Sequence, residues 1–441
     1  MLPNAKIQDR LSRGTATAAE LCAVTGLTQP ALSRRLAGLR GQVLPLGAAR
    51  ARRYGLLRRI RDLEPRIPVY RINEQGEHAT YGVLYSLASG EFWFEGESAA
   101  RQATELFAGL PWFLQDLRPQ GFLGRLFPRQ HAELDLPADV RDWNDDLALY
   151  ALARRGDDAP GDLILGDVSF TRWWERSRNT LLTLNANERE RRYPELALQV
   201  MHGRDPGSSA AGEQPKFVGM INDGDSVRQV IVKFSPMVTE SVGRRWADLL
   251  IAEHWALETL RGFRLDAAGS ELVFAGDRVF LEVSRFDRTG PYGRRPVITL
   301  TSVDSEFVGQ GSNWPAIARE LVHQRRLPRE DAEQVEHLYA FGQLIANSDM
   351  HNGNLSLLHE SYGHFRLAPI YDMLPMRYAP IAGEVATPDF APPPPVGGLS
   401  EAYAAMRGVS REFWQRVAGD SRVSDSFRRV ATGNAGRVAL I

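Results

Sequence analysis

The largest group of residues that could take part in catalysis lies in the segment IANSDMHNGNLSLL, which begins at Ile345 and is soon followed by APIYDML. Asp349 could accept the proton of an attacking hydroxyl. Asn354 and Asp372 offer the oxygen ligands that Mg²⁺ prefers in proteins. We expect His351 to orient the loop by hydrogen bonding. The spacing from the aspartate to the asparagine is that of a kinase catalytic loop, so the pattern predicts phosphoryl transfer.

Lysine is rare in this chain, because only Lys6, Lys216 and Lys233 are lysines among 53 basic residues. Lys233 lies near the end of VRQVIVKF, whose β-branched residues predict a strand. A strand lysine that follows a Gly-rich hairpin can hold nucleotide phosphates. An ordinary strand lysine is the alternative, and the rarity of lysine favours the functional interpretation.

Two neighbouring segments could complete a nucleotide site around Lys233. The Ser- and Gly-rich run GRDPGSSAAGEQPK ends at Lys216 and could bring backbone N–H groups close to a phosphate, although a surface turn has the same composition. The predicted helix Trp246–Leu260 carries Asp248 and Glu253. Either acid could hold the strand lysine, and a solvated surface role is the more ordinary one for both.

The N-terminal segment is strongly basic. Residues 1–61 carry 12 basic and two acidic residues, whereas the remaining 380 have a net charge of −11. TAAELCAVTGLTQPALSRRLAGL predicts two helices around Gly26, and GQVLPLGAARARRYGLLR predicts a basic β-wing. The pattern resembles a winged helix-turn-helix that binds DNA, with a protein-contact module as the alternative. The side chains expected at DNA are Gln29, Ser33, Arg34, Arg50, Arg52 and Arg53.

Length and composition limit the remaining possibilities. The chain has 441 residues, of which 43% are hydrophobic, and this predicts more than one folded domain. We expect domains at 1–65, 66–245 and 246–441. No apolar run is long enough for a membrane span, the N-terminus has no apolar signal core, and Cys22 is the only cysteine. We therefore expect no membrane partner, no intramolecular disulfide and a cytoplasmic location.

The strings SSAAGEQPK, VIVKF, FLEVSRFDR, SDMHNGNLSLL and APIYDML together resemble the HipA family of serine/threonine kinases, the toxins of type II toxin–antitoxin modules. Residues 1–61 form a basic N-terminal segment, called the basic head below. With this basic head, the chain resembles the HipA-like toxins called HipH or YjjJ. The resemblance implies an α+β, two-lobed protein-kinase-like (HipA) fold preceded by a small winged helix-turn-helix domain. It also implies ATP and Mg²⁺ as cofactors and a protein substrate, which for some members is an aminoacyl-tRNA synthetase.

The resemblance also assigns roles to individual residues. It makes Asp349 the catalytic base, with His351 beside it, and Ser209 a site of inhibitory autophosphorylation. The residues implied to bind ATP are Ser209, Gly212, Lys233, Val283, Ser284, Phe286 and Asn354, and those implied to bind the metal are Asn354 and Asp372. Family members often carry a basic residue where this chain has Gly353, which leaves the acceptor specificity open.

These observations favour a toxin-like, ATP-dependent serine/threonine protein kinase with a fused DNA-binding domain. We expect it to arrest growth by phosphorylating a translation-related protein and to regulate itself, without requiring a separate antitoxin. One alternative is a DNA-binding regulator whose kinase-like body senses a ligand without turnover. Another is a metal-dependent enzyme that acts on DNA.

Overall fold

The computed structural model describes residues 2–48, 52–177, 183–202, 214–224, 226–395 and 397–440. The chain forms two compact units of mixed α/β structure. The first unit comprises Met1–Asn73, Glu77–Arg118 and Glu133–Arg178. The second comprises Glu74–Gly76, Pro119–Ala132 and Asn179–Ile441.

Both units contain helices and strands. The helices are α1 (Pro3–Ser12), α2 (Ala18–Thr25), α3 (Gln29–Gly38), α4 (Trp112–Gln115), α5 (Gly121–Gln130), α6 (Asp145–Arg155), α7 (Asp167–Arg176), α8 (Arg189–His202), α9 (Ser241–Gly262), α10 (Leu300–Val303), α11 (Trp314–His323), α12 (Arg329–Leu344), α13 (Ser400–Gly419) and α14 (Asp425–Ala439). The strands are β1 (Ala16–Thr17), β2 (Val43–Leu46), β3 (Arg53–Leu56), β4 (Arg66–Ile72), β5 (His78–Ser86), β6 (Phe92–Gly96), β7 (Glu105–Phe107), β8 (Leu163–Leu165), β9 (Thr183–Asn185), β10 (Lys216–Asn222), β11 (Val227–Phe234), β12 (Ser270–Ala275), β13 (Arg278–Ser284), β14 (Arg288–Thr289), β15 (Gly293–Arg294), β16 (Val297–Thr299), β17 (Ser356–Ser361) and β18 (His364–Leu367).

The first unit begins with α1, α2, α3 and a small antiparallel sheet of order β1-β3-β2. Thr17 and Glu20 form a reciprocal capping box that fixes the start of α2, and Gly26 ends it with a φ of 73°. The predicted helix pair and strand pair of this segment are confirmed. Its core includes apolar side chains from all three helices, namely Ile7, Leu11, Leu21, Leu32 and Leu36.

This N-terminal segment is joined to the next sheet by backbone and side-chain contacts. The amide of Ala88 donates to the carbonyl of Leu56 at 2.8 Å, which continues the pairing beyond β3. The guanidinium of Arg58 binds both carboxylate oxygens of Asp146, at 2.5 and 2.6 Å. The neighbouring sheet has the order β7-β6-β5-β4-β8 and is antiparallel between all neighbours.

The second unit contains a five-stranded sheet of order β12-β13-β11-β10-β9. Its central strands are apolar and β-branched, and Val230, Val232 and Phe234 are buried with Phe280 of β13. In the antiparallel pair β10–β11, Lys216 lies directly opposite Lys233. Because paired residues of an antiparallel sheet share a face, both lysines lie on the same side of the sheet.

The remainder of the second unit is mostly helical. A three-stranded antiparallel sheet of order β16-β17-β18 accompanies helices α11 to α14. The buried indole of Trp414 in α13 donates to the carbonyl of Leu344 at the end of α12, at 3.1 Å. Leu344 is therefore fixed just before the segment that carries Asp349. Among the described residues, no helix has the length and apolarity needed to cross a membrane.

Candidate active site

Lys233 is the centre of a buried ion cluster in the second unit. Its Nζ lies 2.6 Å from Glu253 Oε1 and also contacts Asp372 Oδ1. The lysine comes from β11, the glutamate from α9, and the aspartate from the turn that follows β18. The Glu253 side chain is fully buried and Lys233 is 6% exposed, so water screens this pair poorly.

Burial and the neighbouring charges shift the pKa of all three groups of the cluster. Burial alone would lower the pKa of Lys233, but the carboxylates of Asp372 and Glu253 together raise it. Burial raises the pKa of Glu253, and the lysine charge offsets this only in part. Burial also opposes the charged form of Asp372, but the positive charges of Lys233 and Lys216 outweigh it and lower the pKa of that carboxyl.

The structure separates the two acids of α9 that the sequence could not distinguish. Glu253 binds Lys233, whereas both carboxylate oxygens of Asp248 accept hydrogen bonds from Ser424, one from its amide at 2.8 Å and one from its hydroxyl at 2.6 Å. Asp248 is 1% exposed and Glu253 0%. The expectation of a solvated role was therefore wrong for both, because α9 is buried among the sheet and α13.

The predicted catalytic loop brings Asp349 and Asn354 together. The Asn354 amide nitrogen donates to the Asp349 backbone carbonyl at 2.8 Å and lies 3.5 Å from its carboxylate. His351 Nε2 lies 3.9 Å from Asp349 Oδ1, and about half of the Asp349 side chain is exposed. An exposed carboxylate on a fixed loop can accept a hydrogen bond, and then the proton, from the hydroxyl of an incoming substrate.

Hydrogen bonds to neighbouring segments hold this loop in place. The indole of Trp314 donates to the His351 carbonyl at 3.1 Å, and the Asn352 side chain donates to the Ser312 carbonyl at 3.1 Å. The His351 Nδ1 accepts the amide of Gly353 at 3.1 Å. The predicted role of His351 in orienting the loop therefore rests on a specific contact, because its ring closes the turn that leads to Asn354.

Tyr371 links the catalytic loop to the turn that carries Asp372. Its hydroxyl lies 3.1 Å from the Gly353 carbonyl and 2.8 Å from the Ser356 hydroxyl. Asp372 itself has a φ of 51°, a left-handed conformation that aspartate tolerates better than most residues. The turn thereby directs the Asp372 carboxylate to Lys233.

The donor set fits a magnesium ion bound together with nucleotide phosphates. Because the Asn354 nitrogen is used as a donor, its Oδ1 is the atom left to act as a ligand. Asp372 supplies a carboxylate, and Mg²⁺ commonly takes one or two protein oxygens while phosphates and water complete its shell. Among the described residues, no group of three His, Cys, Asp or Glu side chains forms an all-protein metal cage.

The residues expected at the adenine lie on or just after β13, the strand that pairs with β11. Val283 and Ser284 end β13 opposite Ile231 and Val230, and the Phe286 ring lies 5.5 Å from the ring of Tyr371, the residue before Asp372. The expected ATP-loop residues Ser209 and Gly212 lie outside the described residues, so their predicted roles stay predictions.

Sequence reasoning missed two residues of the site. Lys216 lowers the pKa of Asp372 and lies opposite Lys233, and its signal was the rarity of lysine in this chain. Tyr371 stood within the APIYDML string, but no role was assigned to it. Its hydroxyl contacts with Gly353 and Ser356 depend on tertiary packing that the sequence does not display.

The residues expected at DNA lie in the first unit. Gln29, Ser33 and Arg34 are exposed on α3, and Arg52 is exposed before β3. Arg53 instead donates to the Thr15 hydroxyl and carbonyl, both at 2.9 Å, so in this structure it braces the loop after α1. Arg50 lies outside the described residues.

Gly342 of α12 provides a stability test of the packing beneath the site. A Cβ there would lie 2.4 Å from the sulfur of Met350 and 3.3 Å from that of Met373, the residues that follow Asp349 and Asp372. We expect Gly342→Ala to lose part or all of the gain of about 0.5–1 kcal/mol that alanine usually has over glycine in a helix, because the two methionine side chains must move to make room for the Cβ. Denaturant unfolding measures this change.

Gly408 of α13 is the matched control, because a Cβ there would meet nothing within 4 Å. We expect Gly408→Ala to stabilise the protein by about 0.5–1 kcal/mol, the usual gain of alanine over glycine in a helix. Equal stabilisation by both substitutions would show that the two methionine sulfurs do not limit the space at Gly342.

Comparison with known proteins identifies the relatives of this chain. Residues 63–174 match the model of the YjjJ-like toxin middle domain, and residues 208–424 match that of the HipA-like C-terminal domain. Toxin YjjJ of Escherichia coli (strain K12) is 38% identical over 430 residues, which cover 97% of this chain and 95% of the relative. The chain belongs to the YjjJ-like family of HipA-related toxins. The resemblance found in its sequence motifs is thereby confirmed.

The HipA relationship extends to three-dimensional structure. A chain of the complex of Shewanella oneidensis MR-1 HipA, HipB and operator DNA superposes with a TM-score of 0.51 at 14% identity. The match covers 82% of this chain and 94% of the other. At this identity the likeness shows a shared fold, so this chain has a HipA-like fold.

Proposed function

We propose that this chain is an ATP- and Mg²⁺-dependent protein serine/threonine kinase of the toxin type. The observation that carries the proposal is the buried Lys233–Glu253–Asp372 cluster beside the Asp349–Asn354 loop. A two-lobed kinase requires a cation for the nucleotide phosphates, oxygen ligands for magnesium and an exposed carboxylate at the acceptor hydroxyl. The second unit contains each of these groups.

Each group has a distinct task in this proposal. Lys233 binds the nucleotide phosphates, and Glu253 keeps its ammonium group oriented. Asp349 accepts the proton of the serine or threonine hydroxyl as that oxygen bonds to the γ-phosphorus, while the bond from this phosphorus to the β,γ-bridging oxygen breaks and ADP leaves. Asn354 Oδ1 and the Asp372 carboxylate would hold magnesium, which when bound neutralises charge on the phosphates.

Three assays on the purified protein with Mg²⁺ and ATP separate the proposal from its alternatives. We expect protein-bound phosphate on serine or threonine, formed together with ADP. Nucleotide binding that changes DNA affinity without ADP release would instead support a regulator without turnover. Plasmid nicking that is lost in Asp349→Ala would support an enzyme acting on DNA. Either alternative result, without protein phosphorylation, would overturn the kinase proposal.

We further propose that residues 1–65 form a winged helix-turn-helix that binds DNA. The proposal is supported by the excess of basic residues, by α2 and α3 joined at Gly26, and by the strand pair β2–β3. The exposed face of α3 carries Ser33, Arg34 and Arg35, and no ion pair engages either arginine within the described part of the head.

Arg34→Ala tests this interface. If Arg34 contacts a base edge, the substitution is expected to weaken specific DNA binding about 5–150-fold, equivalent to about 1–3 kcal/mol. Binding to a genomic fragment library, measured by gel shift at fixed salt, gives the comparison. Arg13→Ala is the control, because Arg13 is an exposed arginine of the same head that pairs with Asp9 at 3.0 Å. Equal loss in both variants would reject a specific contact by Arg34.

The cellular role follows from combining these two proposals. We propose that the kinase arrests growth by phosphorylating a translation-related protein such as an aminoacyl-tRNA synthetase, and that phosphorylation of Ser209 restrains it. The Shewanella oneidensis structure contains HipA, HipB and operator DNA. In this chain residues 1–65 would contact DNA directly, so a separate DNA-binding antitoxin would not be required.

A further inference from the structure

Arg245 of α9 carries a buried positive charge that no carboxylate among the described residues contacts directly. The residue is 4% exposed, and its Nη1 donates to the carbonyls of Tyr378 at 3.1 Å and Ala386 at 2.9 Å. Its guanidinium also lies 5.1 Å from the centre of the Phe427 ring. Within the described part of the chain, no acidic side chain forms an ion pair with it.

The nearest acid is already engaged elsewhere. Asp248 lies one turn further along α9, but its two oxygens accept the amide and the hydroxyl of Ser424. The Asp248 charge acts on Arg245 and partly opposes the lowering of its pKa by burial. A buried charge whose direct contacts are carbonyl groups and an aromatic face is nevertheless costly compared with one that has a bonded anionic partner. The surroundings of Arg245 therefore favour an anion, provided that one can reach its outer nitrogen.

Thr387 is the residue that can present such an anion. Its hydroxyl lies 3.4 Å from Arg245 Nη2, while Thr387 itself is exposed to solvent. A phosphoryl group on that oxygen would add a charge of about −1.5 to −2 and three strong acceptors. An arginine fork binds phosphate oxygens through hydrogen bonds in which both partners are charged, and these are shorter and stronger than the present 3.4 Å contact with a neutral hydroxyl.

We infer that Thr387 is a phosphorylation site and that Arg245 binds its phosphate. The inference rests on the proposed kinase function, with a second copy of the chain as the enzyme. The Thr387 oxygen bonds to the γ-phosphorus of ATP, the bond from that phosphorus to the β,γ-bridging oxygen breaks, and ADP leaves. The hydroxyl proton passes to Asp349 of the second copy.

The location of Arg245 gives this modification a structural consequence. Arg245 and Glu253 belong to the same helix and are eight residues apart, which corresponds to about 12 Å along the axis. A phosphate on Thr387 would bind its segment more firmly to the helix that holds Lys233 through Glu253. The modification would thus stabilise α9 in its present position.

Mass spectrometry of the full-length protein after incubation with Mg²⁺ and ATP tests the assignment. We expect phosphate at position 387 both in the wild type, on the threonine, and in Thr387→Ser, on the serine. We expect no phosphate in Asp349→Asn. Phosphate on other residues with none at Thr387 would overturn this inference and leave the kinase proposal standing. Absence of phosphate from the whole protein would overturn this inference, and if no protein of a whole-cell lysate is labelled either, the kinase proposal is overturned as well.

A charge-mimic comparison tests the role of Arg245 separately. Thr387→Glu is expected to raise the melting temperature by at least about 2 °C, and the rise should vanish in an Arg245→Met background. Thr432→Glu is the control, because Thr432 is an exposed threonine whose hydroxyl donates to the Arg428 carbonyl. An equal rise with and without Arg245, or no rise at all, would contradict phosphate binding by this arginine.

Discussion

Lys233→Met is expected to destabilise the protein by about 3–5 kcal/mol, the usual cost of removing one partner from a buried ion pair. The substitution keeps an unbranched side chain one heavy atom shorter but leaves Glu253 and Asp372 facing each other without the intervening cation. It also removes the group that we propose binds the nucleotide phosphates. Denaturant unfolding and calorimetric titration with ATP measure the two effects.

The pH dependence of the variant gives a specific signature. In the folded protein burial raises the pKa of Glu253, and without Lys233 that rise is expected to be larger. The folded state then holds a proton that the unfolded state releases above about pH 4.3, so the instability grows as pH rises from that value and shrinks as pH falls. Lys6→Met is the control, because Lys6 lies in α1 of the first unit and does not belong to the buried ion cluster of the second unit. A Lys233→Met variant as stable as Lys6→Met at pH 8 would contradict the buried-pair account.

Asp349→Asn is expected to lower the rate of phosphoryl transfer by about 10²–10⁴-fold, the usual contribution of a general base. The substitution retains the shape of the side chain but removes its ability to accept a proton. Because Asp349 is half exposed and Lys233 binds other carboxylates, ATP affinity and folding stability should stay near their wild-type values.

Single-turnover labelling together with ATP titration separates these effects. Asp142→Asn is the matched control, because Asp142 is an exposed aspartate of the first unit. A loss of transfer matched by a loss of ATP binding would indicate that Asp349 supports the nucleotide site and does not act as the base.

The parts of the site that depend on local sequence could be predicted. The β-branched run ending near Lys233 predicted β11, and the spacing from Asp349 to Asn354 predicted a loop that brings them together. The reciprocal capping of α2 by Thr17 and Glu20 was likewise visible as a pattern of side chains three residues apart. In each case the interacting residues are close in the chain.

The parts that depend on packing could not be predicted. Asp248 and Glu253 are five residues apart, which places them about 140° apart around α9. The sequence alone does not show which of these directions faces Lys233. Likewise, Lys216 joins the site through the register of β10 against β11.

Arg53 shows the same limit in the basic head. Its charge and its position near the tip of the predicted wing suggested a phosphate contact. The structure turns its guanidinium toward Thr15, because β3 pairs with β1 as well as with β2. The direction of the Arg53 side chain therefore depends on β1, a partner strand of only two residues.

The most direct test of the kinase proposal is phosphate transfer from γ-labelled ATP in whole-cell lysate with Mg²⁺. The wild-type protein is compared with Asp349→Ala and Asp372→Ala, and labelled proteins are identified by mass spectrometry. The account predicts labelled bands with the wild type alone, including a band at the mass of the protein itself that is weaker in Ser209→Ala. Tight ATP binding without any labelled protein would contradict it.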